Sequence, residues 1–484
     1  MNPVAGAILL LTASAVVGLL ALIHIRTRGR VDGLNLRLFM VLNFLLANVV
    51  SGFAHVLGWS KDRGFYEVLS GDPVGSTSGL TTAAWATFLA SCALWAGLVV
   101  PRPRLFPARD DSREVPRRPL APENLYSFAA AHRVSVGGLA LVLAAAGGVG
   151  LIRVMGATTD QTGGRIISVD GGNARYAFLA GWLPWAVTLL VLAFAARRRA
   201  TGQAVWNTLL LVGGLAALAV SATWNGGRAE IAYVAFPLLA IMLPRISILR
   251  WPLIVAGAVA MVVFVVATTS QRVGATTDPW SFIDWQWGRF SMSAWASNHT
   301  ALHGETIWSA LINVPLALLH LGGVSVDNPF RSMVQVSGYD LLGGEDQIYV
   351  VPGFSAEMLL NFGLVGVVAG YFLLGIFSAV VSDAYSRSRS ETNRVLLATV
   401  GSTLVFQGIV GQLESFEVFV TLSILPLWAL WVAERLFARP CDLGQPLEPG
   451  PAASSAPGSP GGQCGPNGTS GATALGGARA PARL

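Results

Sequence analysis

The stretch PGFSAEMLLNFGLVGVVAGYFLLG, residues 352–375, decides the fold of this chain. It joins a polar segment to an apolar run long enough to enter a membrane, and it carries one carboxylate, Glu357, at that junction. An ionisable group at the mouth of a membrane span is costly to desolvate unless it is paired or wetted. We therefore expect Glu357 to carry chemistry, with Ser355 capping the helix. A structural role also stays open, because a carboxylate in the first turn stabilises a helix through its dipole.

The composition is that of an integral membrane protein. Of 484 residues, 53% are hydrophobic and only 12% are charged, whereas soluble domains carry about 25% charged residues. The net charge of +6 comes from short arginine clusters between apolar segments, which does not suggest nucleic-acid binding. The three cysteines are not spaced as a disulfide framework or a zinc site.

Apolar segments of roughly 20 residues predict membrane spans. They indicate an all-α polytopic membrane protein with about eleven transmembrane helices and one long extracytoplasmic loop. The predicted spans are 4–23, 36–58, 80–100, 134–154, 176–195, 205–223, 230–244, 251–268, 355–381, 395–412 and 417–433.

These spans divide the chain into six parts. In order they are helices 1–3 (residues 1–100), a cytoplasmic connector (101–133), helices 4–8 (134–268), an extracytoplasmic loop (269–354), helices 9–11 (355–437) and a cytoplasmic tail (438–484). The tail consists mainly of Gly, Pro, Ala and Ser, so we expect it to be disordered. In the long loop, the Trp-rich segment 279–303 is expected at the membrane surface, and 305–324 is expected to form an interfacial or re-entrant helix.

The placement of arginine predicts the orientation. Positively charged residues gather on the cytoplasmic side of membrane proteins. If the N-terminus lies outside, most of the 32 basic residues fall on one face, including the clusters at 26–37, 102–133, 197–199 and 387–394. We therefore predict an external N-terminus and a cytoplasmic C-terminus.

Arginines predicted on the outer side call for an explanation, because basic residues are normally scarce there. Arg228 follows a tight Gly-Gly turn, where a guanidinium and the first amides of the next helix would favour an anion. Arg272 and Arg289 flank the start of the long loop. Several arginines above a membrane cavity suit a pyrophosphate, which accepts bidentate hydrogen bonds. Local ion pairs, or contacts of Arg228 with lipid head groups, are the alternatives.

The loop offers further polar candidates. His299 and His303 are four positions apart and would share a face of a helix, but the HExxH order is absent and no third ligand is evident, so we predict no metal. A sugar-hydroxyl contact or a proton-acceptor role remains, and an ordinary interfacial loop is the alternative. Glu305, Asp340 and Tyr349 are further candidates for substrate contacts, and Asp340 is also an alternative base.

Two runs, HGETIWSALINVP (303–315) and GYDLLGGEDQIYVVPGFSAEMLLNFGLVGVVAGYFLLG (338–375), are similar to the polysaccharide polymerases of the Wzy type, also called oligosaccharide repeat-unit polymerases. The matching features are His303-Gly304-Glu305, Ile312 to Pro315, the Ser-x-Glu start of a span at 355–357, and Asn-Phe-Gly at 361–363 followed by Gly366. The chain departs from the family in having Ala356 where glycine is usual, and Gly-Gly-Arg-Ala rather than Ser-Arg-Gly around Arg228.

This resemblance implies a GT-C glycosyltransferase in the bacterial cytoplasmic membrane, without metal or cofactor. Such enzymes move a growing glycan from undecaprenyl pyrophosphate to the next lipid-linked repeat unit on the outer face. Glu357 would be the base, while Arg228, Arg289 and Arg272 would hold the pyrophosphate. The implied partners are undecaprenyl-pyrophosphate-linked oligosaccharide and membrane lipid, together with a flippase and a chain-length regulator, and no nucleic acid.

Two other functions stay open. An O-antigen-ligase-like transferase would make His299 or His303 essential. A lipid-linked oligosaccharide flippase or exporter would need charged residues inside several spans. The predicted spans carry few charges and the ionisable groups are expected at the outer mouth, which favours the polymerase.

Overall fold

The computed structural model describes residues 2–28, 35–59, 79–100, 133–157, 179–183, 185–187, 289–299, 301–309, 311–312, 353–387, 391–411 and 413. These residues are mostly helical, and no strand occurs among them. The helices are α1 (Pro3–Arg28), α2 (Leu36–Phe44), a π-helical segment (Leu45–Val50), α3 (Ser51–Val56), α4 (Leu80–Val99), α5 (Arg133–Ala157), α6 (Phe290–Ala296), α7 (Phe354–Arg387) and α8 (Glu391–Val410).

The all-helical membrane class is confirmed within this part of the chain. Judged by length and composition alone, four helical stretches could cross a membrane, namely Pro3–Thr27, Leu36–Val56, Leu80–Val99 and Phe354–Ser386, the last of which is interrupted at Gly363. The predicted spans 134–154 and 395–412 correspond largely to α5 and α8. The spans at 205–223, 230–244, 251–268 and 417–433, most of 176–195 and of the connector, and the tail lie outside the described residues. The number of spans, the orientation and the long loop therefore stay predictions.

Close helix packing brings α4 against α7. Glycines face each other at this contact, since a Cβ added to Gly375 would lie 2.6 Å from the Leu94 carbonyl oxygen and 3.0 Å from the Gly97 Cα. Small residues allow the backbones of membrane helices to approach closely, which gains dispersion energy where no hydrophobic effect acts between helices. The two glycines therefore set the position of α7 in the bundle.

The helix α7 reverses direction at Gly363, whose backbone angles are φ 63° and ψ −155°. The ring of Phe354 lies 5.3 Å from the ring of Tyr371, and a Cβ on Gly370 would lie 2.9 Å from the Met358 Cγ. In a straight helix with a rise of 1.5 Å per residue, Phe354 and Tyr371 would be about 25 Å apart. Residues 354–362 therefore fold back along residues 364–371 as a short antiparallel arm, the hairpin arm.

This reversal corrects the predicted span 355–381. The segment that can cross a membrane begins after Gly363, and residues 364–387 give it a length of about 36 Å. The apolar pattern is continuous from 358 to 381, so the sequence reads as one helix. Glycine is frequent in membrane helices, and nothing in the pattern distinguishes Gly363 from glycines that keep helical angles.

The helices α2 and α3 and the π-helical segment between them form one continuous rod, Leu36–Val56. At the first turn of this rod, the Arg37 guanidinium forms an ion pair with the Asp383 carboxylate near the end of α7. This pair ties the start of the rod to the last turns of α7, so both lie at the same end of the bundle. Arg37 belongs to a cluster that the sequence predicts to be cytoplasmic.

The short helix α6 is buried, contrary to the prediction that the Trp-rich segment lies at the membrane surface. Trp295 is 1% exposed, and every residue from Phe290 to Ala296 is buried. A Cβ on Gly52 of α3 would lie 2.9 Å from the Phe290 ring. At least this part of the predicted outer loop therefore enters the helix bundle.

Candidate functional site

Glu357 lies in the first turn of the hairpin arm, as the sequence predicts, and it is only 3% exposed. Its Oε1 accepts a hydrogen bond of 3.0 Å from the Thr306 hydroxyl. Its Oε2 accepts one of 2.7 Å from the Leu413 backbone N–H. The carboxylate therefore links three parts of the chain: the hairpin arm, the helical turn at 305–309 and the residues that follow α8.

Asn361 completes this network one turn further along the arm. Its amide group donates to the Thr306 hydroxyl oxygen at 2.7 Å and to the Glu357 carbonyl oxygen at 2.8 Å, and its Oδ1 accepts from the Gly304 N–H at 2.9 Å. The Leu302 N–H also donates to the carbonyl of Leu360, at 2.9 Å. These bonds hold residues 301–309 against the hairpin arm. Asn361 and Thr306 are not among the site residues that the sequence predicts, although Asn361 is four positions after Glu357 and so shares its helix face.

Arg289 lies beside the start of the hairpin arm. Its backbone N–H donates to the Ala47 carbonyl at 2.8 Å, and its Nε donates to the Val410 carbonyl at 2.7 Å. Its aliphatic stem crosses Gly353, where an added Cβ would lie 2.5 Å from the Arg289 Cδ. Gly353 has φ +80°, and its carbonyl accepts from the Glu357 N–H at 3.1 Å. The Arg289 stem therefore packs on the residue four positions before Glu357, where only glycine fits.

Both groups are buried within the helix bundle. Ala47, which binds the Arg289 backbone, is near the middle of the rod Leu36–Val56, and this rod is about 30 Å long. Arg289 is 8% exposed and Glu357 is 3% exposed, while their position at the outer mouth of a span stays a prediction. The hairpin arm explains the burial of Glu357, because it carries its first turn back into the bundle.

A buried chain of hydrogen-bonded side chains links the hairpin arm to the π-helical segment and to the later part of α7. The Ser355 hydroxyl lies 3.1 Å from Asn48 Oδ1 and 2.6 Å from the Tyr371 hydroxyl. None of the three side chains is more than 2% exposed. The predicted capping role of Ser355 is wrong, because the helix begins at Phe354 and the Ser355 hydroxyl binds these neighbouring side chains instead.

The histidines lie in a turn rather than on a helix face. Residues 297–299 and 301–304 are not helical, and His303 has φ 48°, so His299 and His303 do not share a helix face and lie in a loop, which is the alternative considered above. His299 Nδ1 lies 2.8 Å from the Trp295 carbonyl oxygen. A carbonyl can only accept, so His299 Nδ1 carries a proton and donates this hydrogen bond. His303 and Glu305 are exposed.

The other predicted site residues, namely Arg228, Arg272, Asp340 and Tyr349, lie outside the described residues. Of the predicted catalytic set, the structure brings together Glu357 and Arg289.

An apolar cavity of about 270 Å³ lies between α7 and α8. Phe354 and Met358 of the hairpin arm line one side, Leu404 of α8 lines another, and Leu413 lies at its border. Since Leu413 also donates to the Glu357 carboxylate, the cavity adjoins the buried acidic group. The arrangement offers an apolar volume next to a carboxylate and a guanidinium.

No family model matches the chain, and neither the curated proteins nor the solved structures give a match.

Proposed function

We propose that this chain is a membrane glycosyltransferase that joins undecaprenyl-pyrophosphate-linked oligosaccharide repeat units into a surface polysaccharide. The observation that supports this most is that Arg289 and Glu357 both lie at the start of the hairpin arm, beside the end of α8. Arg289 Nε binds the Val410 carbonyl and Glu357 Oε2 binds the Leu413 N–H, so the same end of α8 holds both groups. A transferase of this type needs such a pair: a base for the acceptor and a cation for the leaving group.

In the proposed reaction, Glu357 takes the proton of an acceptor sugar hydroxyl. The hydroxyl oxygen then forms a bond to the anomeric carbon of the donor glycan, and the bond from that carbon to the pyrophosphate oxygen breaks. The negative charge that develops on the departing undecaprenyl pyrophosphate is stabilised by Arg289. Arg228 and Arg272 are proposed to bind the same group.

The hydrogen bonds of Glu357 are compatible with a role as base. Thr306 donates to one oxygen of the Glu357 carboxylate, and the Leu413 N–H donates to the other. These two donors fix the orientation of the carboxylate, and a fixed orientation lowers the entropic cost of reaching the reactive geometry. The apolar cavity beside Met358 and Leu413 would accommodate part of a lipid chain.

Purified protein in proteoliposomes with labelled lipid-linked repeat units tests the proposal. The native chain is expected to produce a ladder of extended glycans, and Arg289→Ala and Glu357→Gln are each expected to reduce extension by at least about a hundredfold. Arg153→Ala is the control, since Arg153 is exposed on α5. Full-length glycan from both site variants would refute the assignment of these residues. A single transfer to a different acceptor, with dependence on His299, would indicate the ligase-like function.

A transporter for the same lipid-linked glycan is the second candidate. The depth of Arg289, whose backbone binds the middle of a rod long enough to cross a membrane, favours it. So does the break in α7 at Gly363, because transporters bind substrates at mid-membrane beside interrupted helices. In the same proteoliposomes, movement of labelled repeat units across the bilayer without chain extension would identify a transporter.

A further inference from the structure

We infer that the π-helical segment Leu45–Val50, with the hydrogen-bond chain Tyr371–Ser355–Asn48, positions Arg289 relative to Glu357, and that Tyr371 is the residue that locks this arrangement. The effect of Tyr371 on turnover rests on the proposed function, whereas its effect on the positions of these segments does not.

The three buried groups form a directed chain. The Asn48 Oδ1 atom can only accept, so the single hydroxyl proton of Ser355 is donated to Asn48. The proton in the 2.6 Å contact between Ser355 and Tyr371 must then come from the Tyr371 hydroxyl. Each hydroxyl therefore has one defined role, and removing the Tyr371 hydroxyl takes away the only donor in that contact.

Two aromatic neighbours hold the Tyr371 ring. Phe44 lies at 5.3 Å with an interplanar angle of 78°, and Phe354 lies at 5.3 Å with an angle of 76°. Edge-to-face contacts of this kind are favourable, and Tyr371 is fully buried. The position of the Tyr371 hydroxyl is consequently fixed. Its hydrogen bond to Ser355 in turn fixes the start of the hairpin arm.

The π-helical segment connects this chain to Arg289. Adjacent residues hold the two sides of the site: the Ala47 carbonyl accepts the Arg289 N–H, and the Asn48 side chain accepts the Ser355 hydroxyl. Ser355 is two positions before Glu357 on the hairpin arm. Single π-helical turns are rare and often occur at functional sites. Here the π-helical segment binds both the start of α6 and the start of the hairpin arm, and so fixes the position of one relative to the other.

Tyr371→Phe is the test, because it removes one hydroxyl and keeps the ring. Ser378→Ala is the matched control. Ser378 is 2% exposed on the same helix and its hydroxyl binds only the Leu374 carbonyl among the contacts described, at 2.7 Å. In full-length protein in nanodiscs, Tyr371→Phe is expected to speed hydrogen exchange about tenfold or more in peptides covering 354–362 and 290–296, with α4 unchanged. The control is expected to leave all three regions unchanged.

With lipid-linked repeat units as substrate, Tyr371→Phe and Ser355→Ala are expected to lower kcat about ten- to a hundredfold while KM changes little. Ser378→Ala is expected to retain native turnover. Unchanged exchange in both peptides, or native kcat in Tyr371→Phe despite faster exchange, would overturn the inference. If the native chain makes no polymer at all, the proposed function fails and the exchange comparison alone decides whether Tyr371 positions these two segments.

Discussion

Ser355 and Tyr371 are 16 positions apart in sequence, yet their hydroxyl oxygens lie 2.6 Å apart. This contact is possible only because α7 reverses at Gly363, so that the hairpin arm runs beside the segment that follows it. The reversal determines the depth of Glu357, since it turns the first residues of a span into a helix that points back into the bundle. The fold of this one segment therefore decides where the candidate chemistry takes place.

The conformation of Gly363 leads to the first prediction. Its φ of 63° and ψ of −155° lie in a region that is almost exclusive to glycine, and a Cβ there would meet no atom within 4 Å. Gly363→Ala is therefore expected to act only through the backbone, lowering the free energy of unfolding by about 1–3 kcal/mol. Thermal unfolding in detergent micelles measures the change.

Gly148→Ala on α5 is the control for this substitution. Gly148 is helical and a Cβ there also meets nothing within 4 Å, so alanine is expected to raise stability by about 0.5–1 kcal/mol. Equal effects of the two substitutions would contradict a reversal at Gly363.

Parts of this site could be predicted from the sequence, because they depend only on neighbouring residues in the chain. Glu357 could be placed in the first turn of a helix because the polar loop gives way to apolar residues directly around it. The position of Glu357 and Arg289 beside the same end of α8 could only be suggested by their shared membrane face. The backbone bond of Arg289 to Ala47 and the bond of Asn361 to Gly304 join distant segments, and no single-sequence pattern encodes such pairs.

The close fit of Arg289 over Gly353 leads to the second prediction. In Gly353→Ala, the new Cβ would lie 2.5 Å from the Arg289 Cδ and 2.7 Å from its Cγ, at a backbone φ of +80°. Arg289 must move, so glycan extension is expected to fall about tenfold or more. If displacement of Arg289 is the cause, Gly353→Ala combined with Arg289→Ala is expected to be no worse than Arg289→Ala alone. Additive losses in this double-mutant cycle would assign the effect to backbone strain instead.

The Arg37–Asp383 pair provides a test of orientation. These residues mark one end of the bundle, which the arginine distribution predicts to be cytoplasmic, whereas the exposed Glu305 is predicted to face outwards. In a background without native cysteines, Glu305→Cys is expected to react with an impermeant maleimide in intact cells. Asp383→Cys is expected to react only after permeabilisation. The reverse pattern would invert the topology and remove the proposed site from the outer face.

Thr306 leads to the last prediction, because it bridges two groups with one hydroxyl. That hydroxyl donates to Glu357 Oε1 at 3.0 Å and accepts from the Asn361 amide at 2.7 Å, and the residue is 1% exposed. Thr306→Val keeps the shape but leaves a buried carboxylate oxygen without this donor and removes one acceptor of the Asn361 amide, at a cost of about 1–3 kcal/mol. Because the segment 301–309 depends on this network, its amides are expected to exchange faster, while those of α4 stay unchanged. Thr306→Ser retains the hydroxyl and is expected to exchange like the native chain. Equal exchange in the valine and serine variants would mean that packing, rather than the hydrogen-bonded bridge, holds this segment against the hairpin arm.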